Sequence, residues 1–377
     1  MQTRIVLLVS CGKKKSEIIC QAHEMYNSDR FMLSKKLIMQ LGYEWLIISA
    51  KHGILHPEET IEPYDMPIDS LTSEEKSKWV NSIVSRLKKY NDKTKFVICA
   101  DKNYSTILFR GLNNTNYDCI YPFSEMTYEK QIDYLKNTVN IDKIKQFYSH
   151  LTYLADETGG IHLLKDCRGD MNWPRKGVYF IMDFSECSIV SGNTPKIIRV
   201  GTHAVSKNSK STLWGRLKTH KGTNDGGGSH RSSVFRLHIG NALIKKDNLV
   251  CDTWGLGQNA KKLVRDKERP VEQMVSEYIG SLGVIVLDVD DESSPRSDRA
   301  YLEKHSIALL SAKNYSFEFA SYNWLGRYSP KDEIRDSSLW NINYTNNQYD
   351  ENFLNLLERY IDQTIKKYKT HVRRRKH

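Results

Sequence analysis

Apolar runs and polar breaks divide the chain into two halves with different rhythms. In the first half "RIVLLVS" (4–10), "EWLIISA" (44–50) and "KFVICA" (95–100) are short, β-rich, and followed by polar or glycine residues. Such runs predict strands buried on both faces. Between them, 29–42 and 73–90 repeat apolar residues at helical spacing. The stretch "LTSEEKSKWVNSIVSRLKKY" opens with Thr72 and Glu75 placed as a helix cap. Strand, helix and strand in alternation predict a parallel α/β sheet with helices on both faces. Residues 125–156 also read as helical and lead out of this domain.

The second half has a different order. "KGVYFIMDFSE" (176–186) and "KIIRVGT" (196–202), joined by "CSIVSGNTP", predict an antiparallel pair. A helix is expected from Ser211 to about Lys221. The polar, glycine-rich "GTNDGGGSHRSS" follows, and then a helix-like "VFRLHIGNALI". Another helix is expected over about 270–281, a third strand at "GVIVLDV" (283–289), and a helix from about Ser297 to Ser311. "SYNWLGRYS" and "SSLWNINY" carry the turn and aromatic residues of a loop packed on the domain. Apolar residues at 353, 354, 357, 360, 361 and 365 mark one face of a terminal helix. The expected organisation is an α/β domain suited to nucleotide or base recognition over 1–145 and a helical linker over 146–172. An α+β domain with a small antiparallel sheet flanked by helices follows over 173–345, then an amphipathic helix and basic tail over 346–377.

Composition adds partners to this picture. A chain of 377 residues suits two cores. No apolar run approaches 18 residues, so no membrane partner is expected. The first apolar stretch is too short and wrongly flanked for a signal peptide. Seven cysteines, at 11, 20, 99, 119, 167, 187 and 251, form no C-x-x-C, which fits a reduced cytoplasmic protein without structural zinc. The net charge of +11 is unevenly spread. Residues 1–172 carry 23 basic and 22 acidic side chains, and the remainder carries 33 and 23. Such a field favours a polyanion, and nucleic acid is the commonest one. DNA is preferred to RNA as the expected partner, and a homodimer is left open.

The second half also carries a series of residues suited to phosphodiester chemistry. Gly177, Val178 and Tyr179 stand on its first strand, and Arg199, Val200 and Gly201 end its second. The next helix, "LWGRLKTH", places Arg216 and His220 four residues apart, on one face. Both can then reach the same phosphate. The third strand precedes "YLEKHSIALLS", which supplies Glu303, with Asn314 beyond it. Glu272 and Glu277 are rivals for the role of Glu303. A carboxylate such as Glu303 can hold Mg2+ (or Mn2+), a hard cation that prefers oxygen. Arg216 offers a planar fork for a phosphate. The Tyr179 hydroxyl can take or relay a proton from water, alone or with His220.

In this order the parts resemble the GIY-YIG nuclease superfamily over about 174–345. The resemblance implies a GIY-YIG-like domain and divalent-metal-dependent endonuclease activity on DNA, in a setting such as restriction or anti-phage defence. It implies Tyr179, Arg216, His220 and Glu303 as catalytic residues, with Tyr179 as general base and Glu303 as metal ligand. Arg199, Gly201, His203 and Asn314 would support them. One departure is that Arg199 stands where the family has a tyrosine, so that His203 or His220 becomes a substitute in proton transfer. Two other functions stay open: an inactive nucleic-acid-binding regulator, and an N-terminal base- or nucleotide-processing enzyme with a DNA-binding arm.

The loops complete the list of candidates. "GTNDGGGSHRSSVFRLH" is an insertion relative to compact members of that superfamily. Its glycines let backbone approach a phosphate chain, and nucleic-acid contacts are expected from Lys218, His230, Arg231 and Arg236. In the first half "VSCGKKKS", "SAKHGILHPEETIEPYD" and "ADKNY" follow the three strands, at one edge of a parallel sheet. A pocket is expected there from Ser10, Cys11, Lys13, Ser49, Lys51, His52 and Asp101. Ser10–Lys15 is not a P-loop, because the second glycine is absent. "SCGKKK" with "SAKHG" and "PYD" resembles an uncharacterised α/β family of bacteria and phages, which supports the fold over about 4–110 and no activity.

Overall fold

The computed structural model describes residues 4–374 apart from 193, 208 and 224. Its first strand, β1 (Arg4–Ser10), is buried from Ile5 onward. It lies inside a sheet with both faces covered, which explains the unbroken apolar run. In chain order follow β2 (Cys20–Gln21), α1 (Ala22–Met25), α2 (Asp29–Leu41), β3 (Glu44–Ser49), β4 (Gly53–Leu55) and β5 (Thr60–Ile61). Then come α3 (Ser73–Leu87), β6 (Thr94–Cys99), α4 (Lys102–Leu112), β7 (Asp118–Ile120) and α5 (Tyr128–Asn137).

The main sheet has the order β4-β3-β1-β6-β7. β1 pairs in parallel with β3 and β6, and β6 with β7. β4 turns back antiparallel on β3, and β2 with β5 forms a separate small pair. Helix starts follow the local chemistry. Thr72 and Glu75 close a capping box on α3, and the Asp101 carboxylate accepts the Asn103 and Tyr104 N–H groups at the start of α4. This unit contains the chain up to Ile141 and also Phe319–Asn323. The Tyr322 backbone N–H donates to the Cys119 carbonyl at 2.9 Å, and the Tyr322 ring lies 4.4 Å from that of Phe109.

The second unit contains Asp142–Glu318 and the chain from Trp324 onward. Its elements are α6 (Ile141–Glu157), β8 (His162–Leu163), β9 (Gly177–Cys187), β10 (Pro195–Thr202), α7 (Leu213–Lys221) and α8 (Val234–Lys246). They continue with α9 (Lys262–Ser281), β11 (Gly283–Asp288), α10 (Asp298–Leu310), α11 (Asp332–Ser337) and α12 (Phe353–Arg374). The sheet order is β10-β9-β11-β8, and every pair is antiparallel. The molecule is therefore a mostly parallel α/β unit and a small antiparallel α+β unit, the fold class expected from the pattern. Lys196 and Glu318 form a fully buried ion pair in the second unit. The Glu318 carboxylate also accepts from Ser188, Val190 and Tyr148, so its remaining lone pairs are used.

Several features differ from the pattern reading, among them α4, which begins at Lys102 where the sequence suggested a loop. Residues 125–156 form two helices, because Thr138 ends α5 with a non-helical ψ of 86°. α9 starts at Lys262 and runs through Pro270, which normally breaks a helix. Glu268 and Glu272, on either side of that proline, are held by Arg231 and Arg236. The short strands β2, β4, β5, β7 and β8 go unmarked in the sequence, since two or three residues cannot display an alternation. Of the basic tail, 375–377 lie outside the described residues. No helix among the described residues is long and apolar enough to cross a membrane.

Candidate active site

Two glycines set the site's floor. Gly201 on β10 stands opposite Tyr179 on β9. A Cβ on Gly201 would lie 2.2 Å from the Tyr179 hydroxyl, so only glycine lets the phenol cross the second strand. On Gly177 a Cβ would lie 2.1 Å from the Leu287 carbonyl oxygen of β11. The Tyr179 hydroxyl is 2.9 Å from His220 Nε2. His220 comes from α7, whose first turn is capped by Thr212. Its other ring nitrogen, Nδ1, is 2.7 Å from Ser233 Oγ, and that oxygen accepts the Arg236 N–H at the start of α8. His220 is fully buried. Burial, and then the charges of Arg199, Arg216 and Arg236, hold its pKa well below the usual 6.5, so the imidazole is neutral.

Charged groups stand around this floor. Arg216 is half-buried, and its guanidinium has no hydrogen bond or ion pair among the described residues. Its charge reaches His203, His220 and Glu303. Glu303 projects from α10, is half-buried, and accepts the Thr202 backbone N–H. Burial pushes its carboxyl up to about 7, against the pull of Arg199, that N–H and Arg216. Arg199 is buried, donates to the Trp340 carbonyl at 2.6 Å and lies 4.9 Å above the Phe235 ring. An arginine in a tyrosine's place thus adds a fixed charge beside Glu303 and His220.

His203 sits in the turn after β10. It is buried, with Nδ1 3.5 Å from Ser211 Oγ and Nε2 without a partner among the described residues. Burial, and then Arg299, lowers its pKa to about 4. Arg299, fully buried on α10, donates to the His203 and Ala204 carbonyls and pairs with Asp291. That clamp holds Ala204 at a left-handed φ of 55°. The structure therefore brings Tyr179, Arg199, Gly201, His203, Arg216, His220 and Glu303 into one neighbourhood.

Other expectations meet different geometry. His220 is sealed inside, so it cannot touch a phosphate beside Arg216; it faces Tyr179 instead. Asn314 spends its amide on the Ala308 and Asn347 carbonyls, at 3.0 and 2.7 Å. The contacts expected from the glycine-rich insertion are corrected as follows. Arg236 is fully buried and bonded to Glu272, Ser276 and the His220 carbonyl. Arg231 makes a two-pronged pair with Glu268, at 2.6 and 2.8 Å. His230 is buried, bonded to Glu272 at 2.9 Å and stacked on Trp254. The glycines serve the same core: a Cβ on Gly228 would lie 2.2 Å from Arg236 Cζ. Lys218 is exposed and has no partner among the described residues. Glu272 is committed to this network, and Glu277 is exposed.

Residues that sequence reasoning passed over also shape the site. Ser233 orients His220. Arg299 fixes the turn that carries His203. Asn341 accepts the Val200 N–H at 3.1 Å and donates to the Val200 carbonyl at 2.8 Å, acting as a strand partner for β10. Its place in the aromatic "SSLWNINY" segment was the available signal. Among the described residues no three His, Cys, Asp or Glu side chains gather to hold a metal ion. A cleft of about 1000 Å³, lined by Trp173, Val286 and Lys367 among others, includes none of the site residues.

In the first unit Ser10, Cys11 and Asp101 cluster around Arg30, and Ser49 and His52 around Tyr64. Lys51 lies over the Tyr64 ring, and Lys13 is exposed.

The model of the GIY-YIG domain family matches residues 138–367. The model of a family of unknown function, DUF6884, matches residues 6–137. No curated protein and no solved structure matches the chain.

Proposed function

The chain belongs to the GIY-YIG domain family, a nuclease-type family acting on DNA, and from that premise we propose that its second unit hydrolyses a DNA phosphodiester with Mg2+ or Mn2+ held at Glu303. The observation that carries this reading is the pair Arg216 and Glu303. An unpartnered guanidinium faces a half-buried carboxyl near neutrality, and the two form no ion pair. A substrate phosphate suits the first and a cation the second.

The donor set fits such a cation. Glu303 is a single carboxylate with unused acceptor capacity, and Mg2+ is commonly held by one or two carboxylates together with water and phosphate oxygens. When bound, the cation supplies charge neutralisation and polarises the phosphate. The chain's own residues do the rest. Arg216 donates to the non-bridging oxygens and stabilises the charge that builds on them. With its hydrogen on Nδ1 toward Ser233, His220 presents Nε2 as an acceptor to the Tyr179 hydroxyl. Tyr179, only 1% exposed, then passes its own proton to His220 and takes one from an attacking water that reaches its hydroxyl. The water oxygen bonds to phosphorus as the bond to the leaving oxygen breaks, and that oxygen takes a proton from solvent. Burial and three nearby arginines disfavour a charged His220, so its proton goes back to Tyr179 as Tyr179 releases one to solvent.

His203 is a second acceptor, favoured by its unpartnered Nε2 beside Arg216. Tyr179→Phe and His203→Ala separate the two routes: the variant with the larger loss of kcat marks the acceptor. The main test is cleavage of supercoiled plasmid by the full chain with Mg2+, with Mn2+ and with EDTA. Cleavage should need the cation and fall at least about 1000-fold in Glu303→Ala, the scale on which essential electrostatic groups act. Undiminished cutting by that variant ends the metal assignment. Arg199 in the tyrosine position favours a second reading, a binding regulator; retention of DNA without cutting is its signature. The proposed setting, restriction or phage defence, rests on fold-level analogy, and phage plating on cells with and without the active chain tests it.

A further inference from the structure

The first unit holds a polar cluster that the cutting chemistry does not use. Its main strands run in the order β3-β1-β6-β7, so the chain's direction of growth reverses between β1 and β6. Ligands of open α/β sheets bind beyond the carboxyl ends of strands at such a reversal. Cys11 directly follows β1 and Asp101 stands just beyond β6.

What gathers there is an excess of hydrogen-bond donors. Ser49 Oγ, Tyr64 Oη and Tyr26 Oη form a chain with two contacts of 2.7 Å. Tyr26 also interacts with Ser49, so the three hydroxyls close on one another. Burial raises the Tyr26 pKa to about 12 and those of Tyr64 and Tyr104 well above their usual 10, which keeps all three phenols protonated. Tyr104 Oη is 3.2 Å from Cys11 Sγ. Ser10 is fully buried, and its hydroxyl has no partner among the described residues. Arg30 is 4% exposed. Its Nη2 donates to the Ser10 and Cys11 carbonyls, at 3.4 and 3.3 Å, and Nη1 has no partner among the described residues.

Negative charge is scarce by comparison. Asp101 lies 3.6 Å from Arg30, but its carboxylate already accepts two N–H groups of α4. Lys15 and Lys51 sit over the Tyr64 ring at 4.8 and 5.3 Å, with no carboxylate partner among the described residues. His52 lies edge-on to the same ring, and its Nε2 is buried without a partner among the described residues. Buried donors left unpaired are costly and uncommon in native proteins. Two cations without a carboxylate partner among the described residues, Lys15 and Lys51, lie over the Tyr64 ring in the same cluster. An acceptor-rich anion with oxygens in several directions answers all of them, and a phosphate has that shape where a carboxylate does not.

We propose that the first unit binds a phosphate monoester at the carboxyl edge of β1 and β6. Ser10 and Arg30 meet its oxygens, and Lys15 and Lys51 stand at its mouth. The ester belongs to a nucleoside 5′-phosphate, a sugar phosphate or the 5′ end of a strand. This does not depend on the nuclease reading.

Calorimetric titration of the full chain at low salt separates these sources. The probes are nucleoside 5′-monophosphates, ribose 5-phosphate, inorganic phosphate, a 5′-phosphorylated oligonucleotide, and each organic probe without its phosphate. At least one phosphate ester should bind, with its unphosphorylated counterpart weaker by 10-fold or more. Ser10→Ala should weaken binding about 10-fold, as loss of a hydrogen bond to a charged group does. The exposed Lys51→Ala, alone and with Lys15→Ala, should weaken it further while the melting temperature stays put. Binding by the oligonucleotide alone assigns the site to strand ends, and binding by nucleotides alone assigns it to free nucleotides. No heat from any ester at millimolar concentration, or equal affinity in all three variants, overturns the proposal.

Discussion

Arg216 and Arg236 lie in the same unit and within one short span of sequence, yet they are put to opposite uses. Arg216 is half-buried and keeps its guanidinium unpaired. Arg236 is fully buried and bonded to Glu272, Ser276 and backbone carbonyls. Around the first, charge is available to a substrate. Around the second, charge is consumed by the fold. The basic excess of the second half is thus not a map of its binding surface, because a count along the sequence cannot tell a free cation from one that already has a partner.

The largest effects should come from exchanging these roles. Arg216→Ala should lower kcat for plasmid cleavage by about 100- to 1000-fold and leave the thermal midpoint nearly unchanged. Arg236→Ala should do the reverse in origin. It leaves Glu272 in the interior with His230 as its remaining partner, and breaking such a pair costs about 3–5 kcal/mol, read as a fall of about ten degrees in the midpoint. A destabilised Arg216→Ala, or an Arg236→Ala of normal stability, breaks the comparison.

A smaller effect separates Gly201 from Gly228, since each makes room for a different partner. Gly201→Ala presses on the Tyr179 ring and Gly228→Ala on the Arg236 guanidinium. Each should cost about 1–3 kcal/mol by overpacking in denaturant titrations. Only the Gly201 variant should lose additional activity under conditions where both remain folded.

Acidity sharpens the contrast further. The Glu303 carboxyl is raised to about 7. A cation needs the ionised form, so at limiting Mg2+ the rate should climb about tenfold per pH unit below that value and level off above it. The folded state holds this proton more tightly than the unfolded chain does. Its stabilising share is therefore full below about 4.5 and is lost as pH rises toward 7. Glu303→Gln should gain thermal stability relative to the parent across that window, and a flat difference contradicts the assignment. His220 stays neutral throughout, so it should add no limb above pH 6.5. The smallest effect is that of Lys218→Ala. It should weaken DNA binding only a few-fold and reduce the salt slope by about one.

Much of the fold was legible because burial writes itself into sequence. The doubly covered β1 shows an unbroken apolar run, and Thr72 with Glu75 announces α3. The site's residues were legible as an ordered series. Their relations were not. Tyr179 could not reveal that it needs Gly201, since the two meet only once β9 and β10 pair. The insertion misled for a related reason. Three glycines beside arginine and histidine suit a phosphate chain and a buried guanidinium equally well, and the acids that decided the matter, Glu268 and Glu272, lie on a helix that Pro270 seemed to start rather than interrupt. Arg299 was invisible because its partners are mostly backbone carbonyls, which every residue has.

The five residues Phe319–Asn323 lie within the stretch 138–367 matched by the family model, yet they belong to the first unit. A gene fragment ending near residue 141 would therefore encode an incomplete protein, lacking the chain that pairs with Cys119 and covers Phe109. A peptide that supplies Phe319–Asn323 should therefore restore to such a fragment the stability that it lacks alone.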